Sequence, residues 1–403
     1  MSLDLGNTAL QIDKMALLLK SRQGDRASRL QEAMRSVDAF DAGEYERKRQ
    51  ASISLHWPVP GVPDSPRETV SAPPIPEDFC VVAADGSHID VDRHTPARCF
   101  LVNIGISALT YGSRPDANLF SRPRLYATDD ELALRDPLAS YNEQSIEGAV
   151  LGAKRMVDEA FALVEAVRDT PPDTPTLALM DGSLIMLGLI GQGFRDFVVR
   201  ELVEEGFVRA LDELRELTRT RTVAVASYIS LPRSAEVVNA LRLTLCPYDE
   251  PDCPRFCGTL STGDRPCDAG AMGLMDREVF SELLEPGERS AVFASSSGLV
   301  RDHYQGHDIH FYYVHAGNEI GRVEVPSWVA EDEGLLSLTH SLIVDQCRRG
   351  PGYPIALMES HEQAVVTGSD RRYFSELVEG ALSDNHVPVY ASEKSFSKRV
   401  RWL

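Results

Sequence analysis

Two short apolar runs, Phe79–Ala84 and Thr176–Met180, lead into the same three residues, Asp-Gly-Ser, at Asp85 and Asp181. Apolar runs of this length, bounded by turn formers, read as buried strands of a central sheet. The Gly-Ser that follows permits a sharp turn. Each strand is therefore expected to end with its aspartate lifted out of the sheet edge, where ligands bind in α/β folds. Two such carboxylates on adjacent strands approach closely and repel, and a divalent cation between them removes the conflict. Asp-Gly is also a common turn dipeptide. Its repetition at two strand ends, both times with serine, favours a site over coincidence.

The remaining pattern supplies helices to cover that sheet. A second strand is expected from Cys99 to Ile106 and a long helix over 145–168, stopped by Pro171, Pro172 and Pro175. A helix is expected over about 192–218, a strand from Thr222 to Ala226 and a helix from Ala235 to Leu243. Strands near 308–314 and 319–325 form a hairpin around Gly317-Asn318; a helix follows at 334–348, a strand at 354–358 and a last helix at 370–382. Interleaved strands and helices make the fold class α/β or mixed α+β, with one main sheet. Residues 8–50 read as helix, with Leu10, Met15, Leu18, Leu30, Met34 and Val37 among their apolar positions. The expected organisation is an N-terminal helical region (1–56), a linker or strap with seven prolines (57–77), and a compact domain (78–403).

Charge bounds the partners. The net charge of −20 argues against a protein that coats nucleic acid through a broadly basic surface. It leaves room for a locally basic cleft leading to an acidic metal centre. The C-terminal residues run the other way: Lys394, Lys398, Arg399 and Arg401, with Phe396 and Trp402, form a basic tail suited to nucleic acid or a partner. No apolar run is long enough for a membrane span. Asp4 and Asp13 interrupt the N-terminus, with no cleavage site after an apolar stretch, so the expected location is cytoplasmic.

Seven cysteines without secretory context argue against a disulfide framework. Four of them, Cys246, Cys253, Cys257 and Cys267, follow C-x6-C-x3-C-x9-C in a loop-like stretch (246–270) rich in Pro, Asp and Gly. Four thiolates so placed suit a structural zinc or an iron–sulfur cluster, although the tight C-x2-C knuckles are missing. The alternative is reduced thiols in an excursion loop. Asp4-Leu5-Gly6-Asn7-Thr8 looks like a phosphate loop but lacks the buried strand such a loop needs. No G-x4-GK-[ST], HExxH or GxSxG occurs, so any ATP-driven motor belongs to another chain.

A third carboxylate is expected from the helix before Asp181. Its apolar face is Met156, Val157, Ala160, Phe161, Val164 and Val167. At about 100° per residue, Glu159 and Glu165 lie on opposite borders of that face and Asp158 points nearer to solvent. Geometry leaves both glutamates open. Further on, Gly352-Tyr353-Pro354 precedes a strand-like run ending in Ser360-His361-Glu362. His361 suits a metal ligand or proton shuttle, and Tyr353 a phosphate contact.

This ordered set resembles the NurA nucleases over roughly residues 78–400. It comprises Asp85 in ADGS with His88-Ile89-Asp90 and Asp92-Arg93-His94 after it, then Lys154, Arg155 and Glu159 as K-R-x3-E, then Asp181 in MDGSL. Ser227-Tyr228-Ile229-Ser230 follows, and last GYP with S-H-E. The resemblance selects Glu159 over Glu165. Two features depart from the pattern: Ser360, where alanine is usual, and the cysteine loop, which suits the longer bacterial variety.

The resemblance implies a ribonuclease-H-like core and a manganese-dependent (or magnesium-dependent) deoxyribonuclease. Its expected activities are 5′-to-3′ exonuclease and single-strand endonuclease, in DNA end resection and repair. It further implies a homodimer and a HerA-type hexameric ATPase as partner. Asp85, Glu159, Asp181 and His361 are then the metal ligands and Tyr353 a catalytic residue, with Arg93, Lys394, Lys398 and Arg399 as DNA contacts. The rival expectations are a catalytically silent DNA-end or partner-binding subunit of the same fold, and an RNA-directed nuclease.

Overall fold

A computed structural model describes residues 4–21, 23–90, 97–268 and 270–387. The chain divides into a larger unit (residues 72–229, 298–309 and 323 onward) and a smaller one (residues 1–71, 230–297 and 310–322). Strands are numbered in chain order. They are β1 (Thr69–Ser71), β2 (Phe79–Ile89), β3 (Phe100–Tyr111), β4 (Asp116–Tyr126), β5 (Ala133–Asp136) and β6 (Ala139–Ser145), then β7 (Thr176–Asp181), β8 (Val223–Ile229), β9 (Glu288–Ser290), β10 (Phe293–Ala294), β11 (Ile309–His315) and β12 (Ile320–Pro326).

In the larger unit, β2 is the central strand. It pairs antiparallel with β3, which pairs antiparallel with β4; on its other side it runs parallel to β7, and β7 parallel to β8. An antiparallel meander continued by parallel strands is the mixed sheet expected from the sequence, and the ribonuclease-H-like one that the family resemblance implies. The first six residues of β2, and β7 and β8 almost throughout, are buried, which is why they read as unbroken apolar runs. The edge strand β4 was not expected. Nearly all of it is exposed and it contains Pro123, which a sheet tolerates only at an edge.

The parallel strands β2 and β7 are joined through a long helix, Ala149–Asp169, that buries Val150, Leu151, Val157, Leu163, Val164 and Val167 in the main core. Arg221 donates to its last carbonyls, Val167 O at 3.0 Å and Thr170 O at 2.8 Å, closing the C-terminal end. The helix expected over 192–218 runs from Asp196 to Leu217 and is π-wound over Arg200–Val208.

One expected strand is a helix. Residues Ile355–Ala364 coil immediately after Pro354, and Ala356 N–H donates to the buried Gln346 side chain at 3.2 Å. A short apolar run such as Ile355–Met358 fits either structure by pattern alone. The surface beneath decides. Ser107 Oγ donates to Ala356 O at 2.8 Å, Asn103 Nδ2 to Ala364 O at 2.9 Å, and Ser87 Oγ to Ala364 O at 2.5 Å. At Gly105 the helix backbone touches the strand: a Cβ there would stand 2.1 Å from Ser360 O. Ser360 itself is buried, its hydroxyl bonded to Leu357 O.

In the smaller unit, the N-terminal segment forms three helices, Leu5–Ser21, Gln23–Asp38 and Ala42–Ala51, the last capped by Asp41. Ala33 and Val37 pack against Val238 and Leu241 of the helix Glu236–Thr244. The proline-rich segment is pinned by Tyr45 O–H to Pro60 O at 2.6 Å and by β1 pairing with β9. Among the described residues, no helix is long and apolar enough to cross a membrane.

Gly105→Ala places a methyl group against backbone that cannot step aside. We expect a loss of about 1–3 kcal/mol in denaturant unfolding, or more if the helix lifts off. An unchanged midpoint contradicts this close approach.

Candidate active site

Asp85 and Asp181 stand on neighbouring parallel strands, with Ala84 in register with Met180. Their backbones differ. β7 ends at Asp181 and turns through Gly182 at φ +82°, as the sequence suggested. β2 does not stop at Asp85: it stays paired with β3 as far as Ile89 opposite Leu101. The first Asp-Gly-Ser is therefore extended strand, and the expected turn is absent because an antiparallel partner continues alongside it.

Gly86 serves a different purpose. A Cβ at this position would lie 2.4 Å from Glu159 Oε1, so the missing side chain is what admits the glutamate. Glu159 is 6% exposed, and Arg155 Nε lies 3.0 Å from its Oε1. That contact is an ion pair without hydrogen-bond alignment, which leaves Oε1 with no hydrogen-bond donor. Burial above all raises the Glu159 pKa to about 8; Arg155 opposes the rise, and the charges of Asp85 and Asp181 add to it. Asp181 is also raised, first by the protein packed around it and then by Asp85, although its outer side faces solvent.

Glu165, the other candidate, lies in the open and pairs with Arg122. Asp158 does not face solvent as expected. It accepts from Tyr126 O–H at 2.8 Å and is ion-paired with Lys154.

The segment around the helix Ile355–Ala364 completes the group. Tyr353 O–H donates to Asp181 Oδ1 at 2.7 Å, its ring edge-on to the buried Tyr228 at 5.5 Å. His361 Nδ1 lies 2.7 Å from Asp85 Oδ2, and Gly86 N–H donates to Asp85 Oδ1 at 2.7 Å. Five predicted residues (Asp85, Glu159, Asp181, Tyr353 and His361) thus share one end of the sheet. The four cysteines lie in the smaller unit. Arg93, Lys394, Lys398 and Arg399 fall outside the described residues.

Sequence reasoning missed Glu324 on β12. It is buried and accepts from Ser183 Oγ at 2.7 Å and Leu184 N–H at 2.9 Å, holding the turn that follows Asp181. Its only signal was a lone acid in the run Val323-Glu324-Val325, which reads as ordinary alternation.

The donor set suits a hard divalent cation: carboxylate oxygens from three elements, one of them sealed from water and short of a donor. As the side chains stand, Tyr353 and His361 occupy one oxygen each of Asp181 and Asp85. Among the described residues, no group of three or more His, Cys, Asp or Glu is arranged to hold a metal.

A family model described as the NurA domain matches residues 80–366. The chain belongs to the NurA family. NurA proteins are nucleases, and the matched span contains Asp85, Glu159, Asp181, Tyr353 and His361. No curated protein matches the chain.

Because Glu159 ionises at about 8 in the folded chain against 4.5 ordinarily, its contribution to stability is complete below 4.5 and lost as pH rises through 8. In EDTA, unfolding free energy is expected to fall from pH 5 to pH 8 more steeply for the wild-type NurA chain than for Glu159→Gln. Parallel slopes would show that Glu159 is not held in this way.

Proposed function

We propose that this chain is a metal-dependent deoxyribonuclease that processes DNA ends. The observation that carries the reading is a buried Glu159 set against Asp85 and Asp181 at one sheet edge, in a member of a nuclease family. A Mn²⁺ or Mg²⁺ ion held by Asp85, Glu159 and Asp181, with His361 beside them, would supply an activated water and neutralise the charge that develops at the phosphate. Tyr353 fixes the Asp181 carboxylate through its hydroxyl. His361 orients Asp85 and, being largely exposed, is placed to carry a proton to or from solvent. Arg155 offsets part of the negative charge.

The finer assignment follows the family: 5′-to-3′ exonuclease and single-strand endonuclease, acting in end resection and repair as a homodimer with a HerA-type hexameric ATPase. The absence of a phosphate-loop motif from the sequence agrees with a motor on a separate chain. A second reading, a catalytically silent DNA-end or partner-binding subunit, draws on the lack of a ready-made metal group among the described residues.

Incubation of linear DNA with Mn²⁺ separates the two. The nuclease reading expects degradation by wild type and none above background by Asp85→Ala or Asp181→Ala; equal DNA loss with all three proteins, or none with any, would sink it. Tyr353→Phe keeps the ring and loses the bond to Asp181. Its rate is expected to drop about 10–100-fold, as for other groups that orient metal ligands. Competition with RNA of the same sequence tests the sugar preference, and preferential loss of the RNA would contradict a deoxyribonuclease.

A further inference from the structure

We propose that Cys246, Cys253, Cys257 and Cys267 bind one Zn²⁺ ion, forming a structural site in the smaller unit independent of the carboxylate centre. All four line one cavity, together with Leu55, Trp57 and Arg242. The cavity measures about 20 Å³. That is room for a single small occupant.

The segment needs a staple. Between residues 246 and 268, the buried positions are Pro251, Cys253, Cys257, Cys267 and Asp268, with no aliphatic side chain among them. A segment that buries so little apolar surface of its own has much to gain from a metal cross-link, and these thiols are all free. Cys253 and Cys257, four residues apart on one short helix, share a face. The chain just before that helix is pinned by Ile53 N–H to Pro251 O at 2.9 Å and by Cys253 N–H to Ser54 O at 2.8 Å. Tyr248 stacks on Phe256 with ring centres 4.0 Å apart. Cys267 enters beside Asp268, which is ion-paired with Arg242, and Arg242 lies 3.8 Å over the Trp57 ring.

Four soft thiolates select zinc over the hard cations suited to the carboxylates. A zinc tetrathiolate carries net negative charge, and the Arg242 guanidinium stands next to it. The sulfurs are not drawn to a common centre as they stand, so binding requires the cysteine side chains to turn inward as the thiols lose their protons.

The test is elemental analysis of the full chain, purified without chelator and dialysed against Zn²⁺, with zinc release followed during titration by a mercurial. The expected content is about one zinc per chain, released as the thiols react. Cys253→Ser/Cys257→Ser is expected to lose that zinc and to be cut faster by trypsin after Arg255. Should the double variant not fold, Co²⁺ loading of the wild-type chain takes its place, with a thiolate-to-cobalt absorption band expected. Any of four results overturns the proposal: no zinc, iron with visible absorption, full zinc retention by the variant, or no cobalt–thiolate band.

Discussion

Glu159 has been taken out of water and set beside two other carboxylates. An isolated ionised group in such a place is costly enough that it either holds its proton or acquires a cation. Much of the larger unit follows from meeting that condition. β2 carries glycine at position 86, where a Cβ would stand 2.4 Å from Glu159 Oε1 and a side chain would displace the glutamate from its present place. The long helix must lie across β2 with Arg155 one turn before the glutamate, where its charge offsets part of the burial. β2 and β7 must run parallel and in register, so that Asp85 and Asp181 reach the same end of the sheet.

The helix Ile355–Ala364 is the second half of the arrangement. Its seat on β2 and β3 is a set of small residues: Gly105 lets the backbones touch, while Ser87, Asn103 and Ser107 donate to helix carbonyls. Buried polar groups paired in this way fix register as well as position. The consequence is that His361 is delivered to Asp85, and Tyr353, at the approach to the helix, to Asp181. Glu324 does the same for the turn behind Asp181.

The legible parts of the sequence were those in which one physical cause leaves one pattern. Strands buried on both faces leave unbroken apolar runs, so β2, β7 and β8 were readable, as were the two aspartates after them. The edge strand β4, polar and broken by Pro123, left none. Gly86 was misread because a glycine that makes a turn and one that makes room for a neighbour are written alike. Ile355–Met358 fitted strand and helix equally, and the small-residue seat that decides lies some 250 residues away in sequence. Helix periodicity placed Glu159 and Glu165 on equal borders; the family resemblance chose Glu159, and the physical difference between them, a strand glycine beneath Glu159, lies outside the helix.

The central claim is that Asp85, Glu159 and Asp181 share a divalent cation. Anomalous diffraction from crystals of this chain soaked in Mn²⁺ tests it most directly. The account predicts a manganese peak bounded by these three carboxylates, with the Tyr353 and His361 contacts rearranged around it. A well-ordered site with no peak there, or with manganese bound only elsewhere, would contradict it.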